Sequence, residues 1–135
     1  MTFAQRSLAH IRRVIARSPW AAEMWSGITA ISWGASVIAA PPQVVTWPPV
    51  AYLATLAPHQ WWGVLSVVLG AAQFTFMTVD ARWCRWGMCV ILSWWWGALT
   101  LSVVDSVPWL PGIAVYGGWA GINLFSTVRL LRRGG

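Results

Sequence analysis

The run from 83 to 104, WCRWGMCVILSWWWGALTLSVV, is the sequence feature that most constrains the fold. Arg82 and Arg85 lie at its start, and no charged residue follows until Asp105. A helix of about 20 mainly apolar residues is long enough to cross a hydrocarbon core of about 30 Å. Only 9% of the residues are charged, whereas soluble domains carry about 25%. The run therefore predicts a membrane-spanning helix.

Three other apolar blocks follow the same pattern and predict a single all-α membrane domain over 1–135. The predicted spans cover about 20–40, 59–79, 84–104 and 109–128. Pro-Pro pairs interrupt the chain in the segment 41–58, because proline ends a helix and disrupts a strand. We expect this segment to be an outer loop, with a short surface helix between Val50 and Leu56.

The N-terminal segment 1–18 predicts a basic amphipathic helix that lies in the membrane interface. At about 100° per residue, one face collects the apolar side chains Phe3, Leu8, Ile11, Val14 and Ile15. Arginines and His10 occupy the flanks, which suits an anionic lipid surface. A solvated arm without stable structure is the alternative.

The distribution of the arginines predicts the topology. The chain has nine arginines and no lysine, and 41–58 contains none of them. Four spans with both termini in the cytoplasm put every arginine on the cytoplasmic side, as the positive-inside rule requires. The residues expected at the surface of the bacterial inner membrane are Arg6, Arg12, Arg13, Arg17, Arg82, Arg85, Arg129, Arg132 and Arg133.

Small residues and isolated polar residues predict contacts between the spans. Glycine allows two helices to approach closely in a membrane, and the predicted packing positions are Gly27, Gly34, Gly70, Gly117 and Gly121. Glu23 is expected to stabilise the first turn of its helix and to pair with Arg17. Gln73 needs a partner, which is either another helix or a polar lumen.

Tryptophan is unusually abundant, with 13 residues. Eight fall near predicted span ends, where aromatic belts form, but Trp33, Trp94, Trp95, Trp96 and Trp119 fall at mid-depth. The three consecutive side chains of Trp94 to Trp96 cover more than half of a helix circumference. We expect at least one of them to face other helices, and another to face lipid. Packing within the bundle and a pore lining or partner surface are the two alternatives.

Enzymatic chemistry is not predicted. The chain has no phosphate-binding loop, and its acidic residues Glu23, Asp80 and Asp105 lie near predicted span ends. Cys84 and Cys89 are five residues apart without a nearby histidine, which is poor zinc spacing. No cofactor, metal site or nucleic-acid partner is expected.

The chain resembles a group of small four-span membrane proteins encoded by tailed phages and prophages of proteobacteria. The resemblance rests on SPWAAEMW at the first span, on Trp33-Gly34, on LAPHQWWGVL through GAAQF in the second span, and on the Arg-rich C-terminus. The chain departs from the group in its WWW run and its second Pro-Pro pair. The resemblance implies a phage setting and no catalytic residues.

Three functions fit these observations. The first is holin-like permeabilisation of the membrane by a self-associating bundle. The second is superinfection exclusion or another interaction role in the inner membrane, with Gln43 to Gln60 as the contact surface. The third is a structural subunit of a larger membrane or virion assembly. The expected partners are anionic lipids and either a second copy of the chain or another membrane protein.

Overall fold

The computed structural model describes residue 5 and residues 20–79, 81–106 and 111–132, and these ranges are all-α, as predicted. Its elements are α1 (Trp20–Ala39), a 3-10 helix (Pro42–Thr46), α2 (Pro48–Leu56), α3 (His59–Val79), α4 (Arg82–Ser106) and α5 (Gly112–Arg132). Apart from residue 5, the predicted amphipathic segment 1–18, including Arg6, Arg12, Arg13 and Arg17, lies outside the described residues, and so does Arg133.

The four long helices form an up-and-down bundle. We call the end at which α1 and α4 begin the basic end, and the opposite end the proline end. α1 packs mainly against α3, and α4 mainly against α5. Two of these helices, α3 and α4, are long and apolar enough to cross a membrane. α1 and α5 have similar lengths of 20 and 21 residues, but Glu23 in α1, and Asn123 and Arg129 in α5, lower their mean hydropathy, and they do not meet this criterion.

The contact between α1 and α3 is built on glycine. A Cβ added at Gly34 would collide with the carbonyl oxygen of Gly63. A Cβ at Gly70 would lie 2.6 Å from the carbonyl oxygen of Gly27. Between these pairs, the Ser66 hydroxyl donates to the Ala30 carbonyl at 2.8 Å. Both helices therefore repeat glycine every seven residues, and only glycine permits this approach of the two backbones.

The centre of the bundle is aromatic. Trp95 packs edge-on against Trp33, with ring centroids 5.6 Å apart, and stacks on Trp62 at 6.2 Å. Trp96 stacks on Tyr116 at 6.0 Å. Trp95 and Trp96 are fully buried, whereas Trp94 is 69% exposed. The WWW run thus places two rings inside the bundle and one outside.

The proline-rich segment folds back onto the bundle. α2 begins with two prolines, and its Val50 and Leu53 are buried. The Ser102 hydroxyl of α4 donates to the Pro48 carbonyl at 2.9 Å. The Trp62 indole of α3 donates to the Leu53 carbonyl at 2.7 Å. The short helix expected at 50–56 is therefore present, and it is fixed to α3 and α4 by side-chain hydrogen bonds.

Candidate functional site

The candidate site is a group of buried polar side chains near the basic end, contributed by all four long helices. We call it the polar cluster, and its members are Glu23 and Ser26 from α1, Gln73 from α3, Arg85 from α4 and Asn123 from α5. Buried polar groups in a helical bundle of this kind need partners, since an unpaired group loses its hydration without compensation.

An ion pair lies at the centre of the polar cluster. The Arg85 guanidinium donates from Nε to Glu23 Oε2 at 2.9 Å and from Nη2 to Glu23 Oε1 at 2.8 Å. Two parallel bonds of this kind give the strongest geometry available to an arginine and a carboxylate. The Glu23 side chain has no exposed surface, and that of Arg85 is 9% exposed. The pair therefore ties the first turns of α1 and α4 together inside the bundle.

Gln73 extends the pair to α3. Its Nε2 donates to Glu23 Oε2 at 3.4 Å and lies 3.9 Å from the Cys89 sulfur. Its Oε1 is buried without a hydrogen-bond partner among the described residues. Of the two environments expected for this amide, the contact with another helix is the one observed.

Ser26 connects the cluster to α5. Its hydroxyl accepts from Asn123 Nδ2 at 2.8 Å and from the Trp96 indole at 3.4 Å. Asn123 Nδ2 also donates to the Trp119 carbonyl at 2.8 Å. Asn123 Oδ1 and the nearby Ser126 hydroxyl are buried and have no partner within the described ranges. Every long helix thus contributes at least one polar group to the interior near this end.

Arg82 lies at the same end as the polar cluster, but it binds backbone carbonyls instead of side chains. Its Nη2 donates to the carbonyls of Leu130 and Leu131 at 2.7 and 3.2 Å, and its Nε donates to that of Leu130 at 3.1 Å. The last carbonyls of a helix lack partners within the helix, and a cation there also suits the helix dipole. Arg82 therefore caps α5, and it packs against Trp83 as well.

The structure changes the expectations for two charged residues. Glu23 lies in the first turn of its helix, as expected, and is also bound to Arg85, a partner that was not expected. Its expected partner Arg17 lies outside the described residues. Arg85, expected at the membrane surface, is buried. The sequence held a usable signal, since the predicted topology already placed Glu23 and Arg85 in first turns at the same end. Asn123 and Ser26 were missed because a single amide or hydroxyl in an apolar helix does not reveal which neighbour it faces. Arg129 and Arg132 lie in the last turn of α5, as part of the basic end.

The glycines predicted for helix packing divide into two groups. Gly27, Gly34 and Gly70 lie in the contact between α1 and α3, where Gly63 is the fourth member. Among the described residues, a Cβ at Gly117 would touch only Thr100, at 3.7 Å, and one at Gly121 would have no heavy atom within 4 Å. The first group allows the close α1–α3 contact, whereas Gly117 and Gly121 of α5 make no such close contact with another described helix.

Catalytic and metal chemistry have no visible support in the described part of the chain. Its His, Cys, Asp and Glu residues form no group of three that could hold a metal ion. Cys84 is exposed and Cys89 buried, and both are free thiols. Comparison with models of protein families, with curated proteins and with solved structures finds no match to this chain.

Proposed function

We propose that the chain is a bacterial inner-membrane protein that self-associates through α5 and permeabilises the membrane in the manner of a holin. In this proposal α1, α3, α4 and α5 are the four spans, and both termini are cytoplasmic. The proposal has three parts, which are embedding, assembly and permeabilisation, and each has its own test.

Embedding is supported by the distribution of polar and apolar groups. The outer surface of the long helices carries large apolar side chains, including Trp25, Val68, Leu101 and Phe125, each more than half exposed. The ion pair and amides of the polar cluster are inside. Helices of 20 to 25 residues are about 30 to 38 Å long at 1.5 Å per residue, which matches a bilayer core of about 30 Å.

Orientation can be tested with the native thiols. Cys84 is exposed at the basic end, which the positive-inside rule assigns to the cytoplasm. A membrane-impermeant maleimide added to intact spheroplasts should leave Cys84 unlabelled and should label a Gln43→Cys variant at the proline end. Labelling of Cys84 in intact spheroplasts would refute the orientation.

The open stripe of α5 is the observation that carries the assembly proposal. Ala114, Gly118, Gly121 and Phe125 are exposed and follow one another at helical spacings of four, three and four residues. In the described part of the chain, neither Gly118 nor Gly121 has a heavy atom within 4 Å of an added Cβ. The α1–α3 contact demonstrates that this bundle uses glycine for close backbone approach. An unoccupied glycine surface on α5 suits the same approach by a second copy.

Holins are small, helical and self-associating membrane proteins that are often basic at the cytoplasmic C-terminus. The helical fold of this chain and the arginines in the last turn of α5 match that description, and this match is the reason for proposing permeabilisation. Within one copy the polar cluster is enclosed, and its two charged groups are paired with each other. A single bundle therefore presents an apolar exterior. Opening a path for water requires copies to assemble and their helices to rearrange.

The test is induced expression with membrane potential and growth followed together. We expect a delayed, all-or-none loss of potential and release of a co-expressed endolysin. Gly121→Leu should delay or abolish the collapse because the added side chain blocks the open stripe. Gly87→Leu is the matched control, since an added Cβ there also meets nothing within 4 Å, on a different helix. Intact potential at high expression of the folded protein would refute permeabilisation.

A role in binding a partner at the outer face is the second candidate. Trp47 and Tyr52 are 45% and 56% exposed at the proline end, and aromatic side chains are common anchors in interfaces. This candidate predicts harmless expression and protection against related phages. Protection should be lost in Trp47→Ala or Tyr52→Ala. Unchanged plating efficiency across a phage panel would count against it.

A further inference from the structure

A groove of about 960 Å³ runs along the surface between α4 and α5, and α2 borders it at the proline end. Gly97 and Gly117 line it on the two facing helices, and we call them its floor. An added Cβ at Gly97 would meet no described heavy atom within 4 Å, and one at Gly117 would meet only Thr100. Its walls include Trp94, Leu101 and Tyr52, all more than half exposed. The groove is therefore deep because its floor residues lack side chains, and its walls are large, mainly apolar side chains.

The free polar groups of the groove lie at one end. The hydroxyls of Thr100 and Ser102, which also line it, donate to the Trp96 and Pro48 carbonyls. The Asp105 carboxylate and the Tyr52 hydroxyl remain, and neither has a hydrogen-bond or ion-pair partner among the described residues. Asp105 lies in the last turn of α4, where the helix dipole is already negative. The arginines of the described part of the chain, Arg82, Arg85, Arg129 and Arg132, lie at the basic end. Twenty residues of helix, about 30 Å at 1.5 Å per residue, separate Arg85 from Asp105, so none of these arginines neutralises this carboxylate.

The length of the groove indicates what kind of molecule fits. From Trp94 to Asp105 the helix rises about 16 Å at 1.5 Å per residue. That is about half of a hydrocarbon core of about 30 Å, or one leaflet. A transmembrane helix of another protein would run past Trp94, whereas an acyl chain of one leaflet ends near it.

We propose that the groove binds an outer-leaflet phospholipid with an ammonium headgroup. One acyl chain lies over Gly97 and Gly117, the ammonium pairs with Asp105, and the Tyr52 hydroxyl donates to the lipid phosphate. This site rests on the membrane embedding and orientation proposed above, and it is separate from the α5 stripe at Gly118 and Gly121. Phosphatidylethanolamine has the required chemistry, and phosphatidylglycerol lacks the cation.

The test is native mass spectrometry of the full chain, purified in mild detergent and exchanged into equal amounts of the two lipids. We expect retention of phosphatidylethanolamine over phosphatidylglycerol by about two- to five-fold, the range that one exposed ion pair supports. Asp105→Asn should make retention of the two lipids equal. Gly97→Leu should reduce retention of both, because its side chain fills the floor. Gly87→Leu, at the opposite end of α4, should behave as the native chain does.

Two results of the lipid measurement would overturn the proposal. One is equal retention of the two lipids by the native chain, and the other is unchanged retention in Gly97→Leu. Disulfide crosslinking of Gly97→Cys between copies in native membranes would assign the groove to a second copy and would also refute the lipid site. Failure of the lipid site leaves the collapse of membrane potential intact. Failure of permeabilisation leaves lipid selectivity intact, so the two outcomes are distinguishable.

Discussion

Replacing Arg85 by methionine removes one half of the buried ion pair while largely preserving side-chain volume. The Glu23 carboxylate, which has no exposed surface, then keeps the Gln73 amide at 3.4 Å and loses two short bonds from the guanidinium. Hydrogen bonds to charged groups contribute about 1.5–3 kcal/mol each. Removing one partner of a buried pair costs about 3–5 kcal/mol in all. We therefore expect Arg85→Met to lower the free energy of unfolding by about 3–5 kcal/mol.

The assay is unfolding in mixed detergent micelles by SDS titration, followed by tryptophan fluorescence. Arg132→Met is the control, because it removes an exposed arginine from the same end and should change stability by less than about 0.5 kcal/mol. The double variant Glu23→Leu/Arg85→Met should be at least about 2 kcal/mol more stable than Arg85→Met alone, since replacing both charges leaves neither one buried without a partner. A cost below about 1 kcal/mol for Arg85→Met, or strict additivity in the double variant, would refute the reasoning.

Three further predictions use the same unfolding assay or hydrogen exchange. Gly34→Ala should lower the free energy of unfolding by about 1–3 kcal/mol because the new methyl group meets the backbone of α3, whereas Gly121→Ala should be neutral or slightly stabilising. Equal effects of the two substitutions would contradict the division of the glycines into a packed and an open group. Trp95→Ala should lower the free energy of unfolding by about 3–5 kcal/mol because it removes the centre of the aromatic core. The same change at the exposed Trp94 should lower it by less than about 1 kcal/mol, and the reverse order would contradict a buried Trp95 and an exposed Trp94. Arg82→Met should speed backbone amide hydrogen exchange in the last turn of α5 by several-fold, because the carbonyls of that turn lose their partner. Unchanged exchange there would show that this cap does not stabilise the turn.

The helices were predictable because their signals are local. Apolar runs and Pro-Pro pairs indicated where helices begin and end, and the helix period alone required the WWW run to face more than one environment. Glycines at 27, 34 and 70 marked surfaces for close packing. The sequence did not indicate that α1 would use them against α3, nor that Gly63 would complete the set, because pairing of helix faces depends on the tertiary arrangement.

The polar cluster was harder to predict for the same reason. A carboxylate in the first turn of a helix already has a local explanation as a partner of the helix dipole, so Glu23 did not require a distant one. Its observed partner, Arg85, lies 62 residues further along the chain. Arg85 in turn looked like an ordinary surface charge beside Arg82. The predicted topology placed the two side chains at the same end, but it did not indicate which faces of α1 and α4 would meet.

That separation along the chain has a consequence for biogenesis. In the proposed four-span arrangement, α1 leaves the ribosome well before α4, so Glu23 reaches the membrane while Arg85 is still to be made. A lone carboxylate in a membrane helix opposes insertion by about 2.5–3.5 kcal/mol at mid-depth, and by less near the interface. In the proposed arrangement, stable insertion of α1 therefore depends on the later insertion of α4, which carries the opposite charge. A ribosome stalled after α3 should leave α1 easily extracted from the bilayer, and release of α4 should make it resistant.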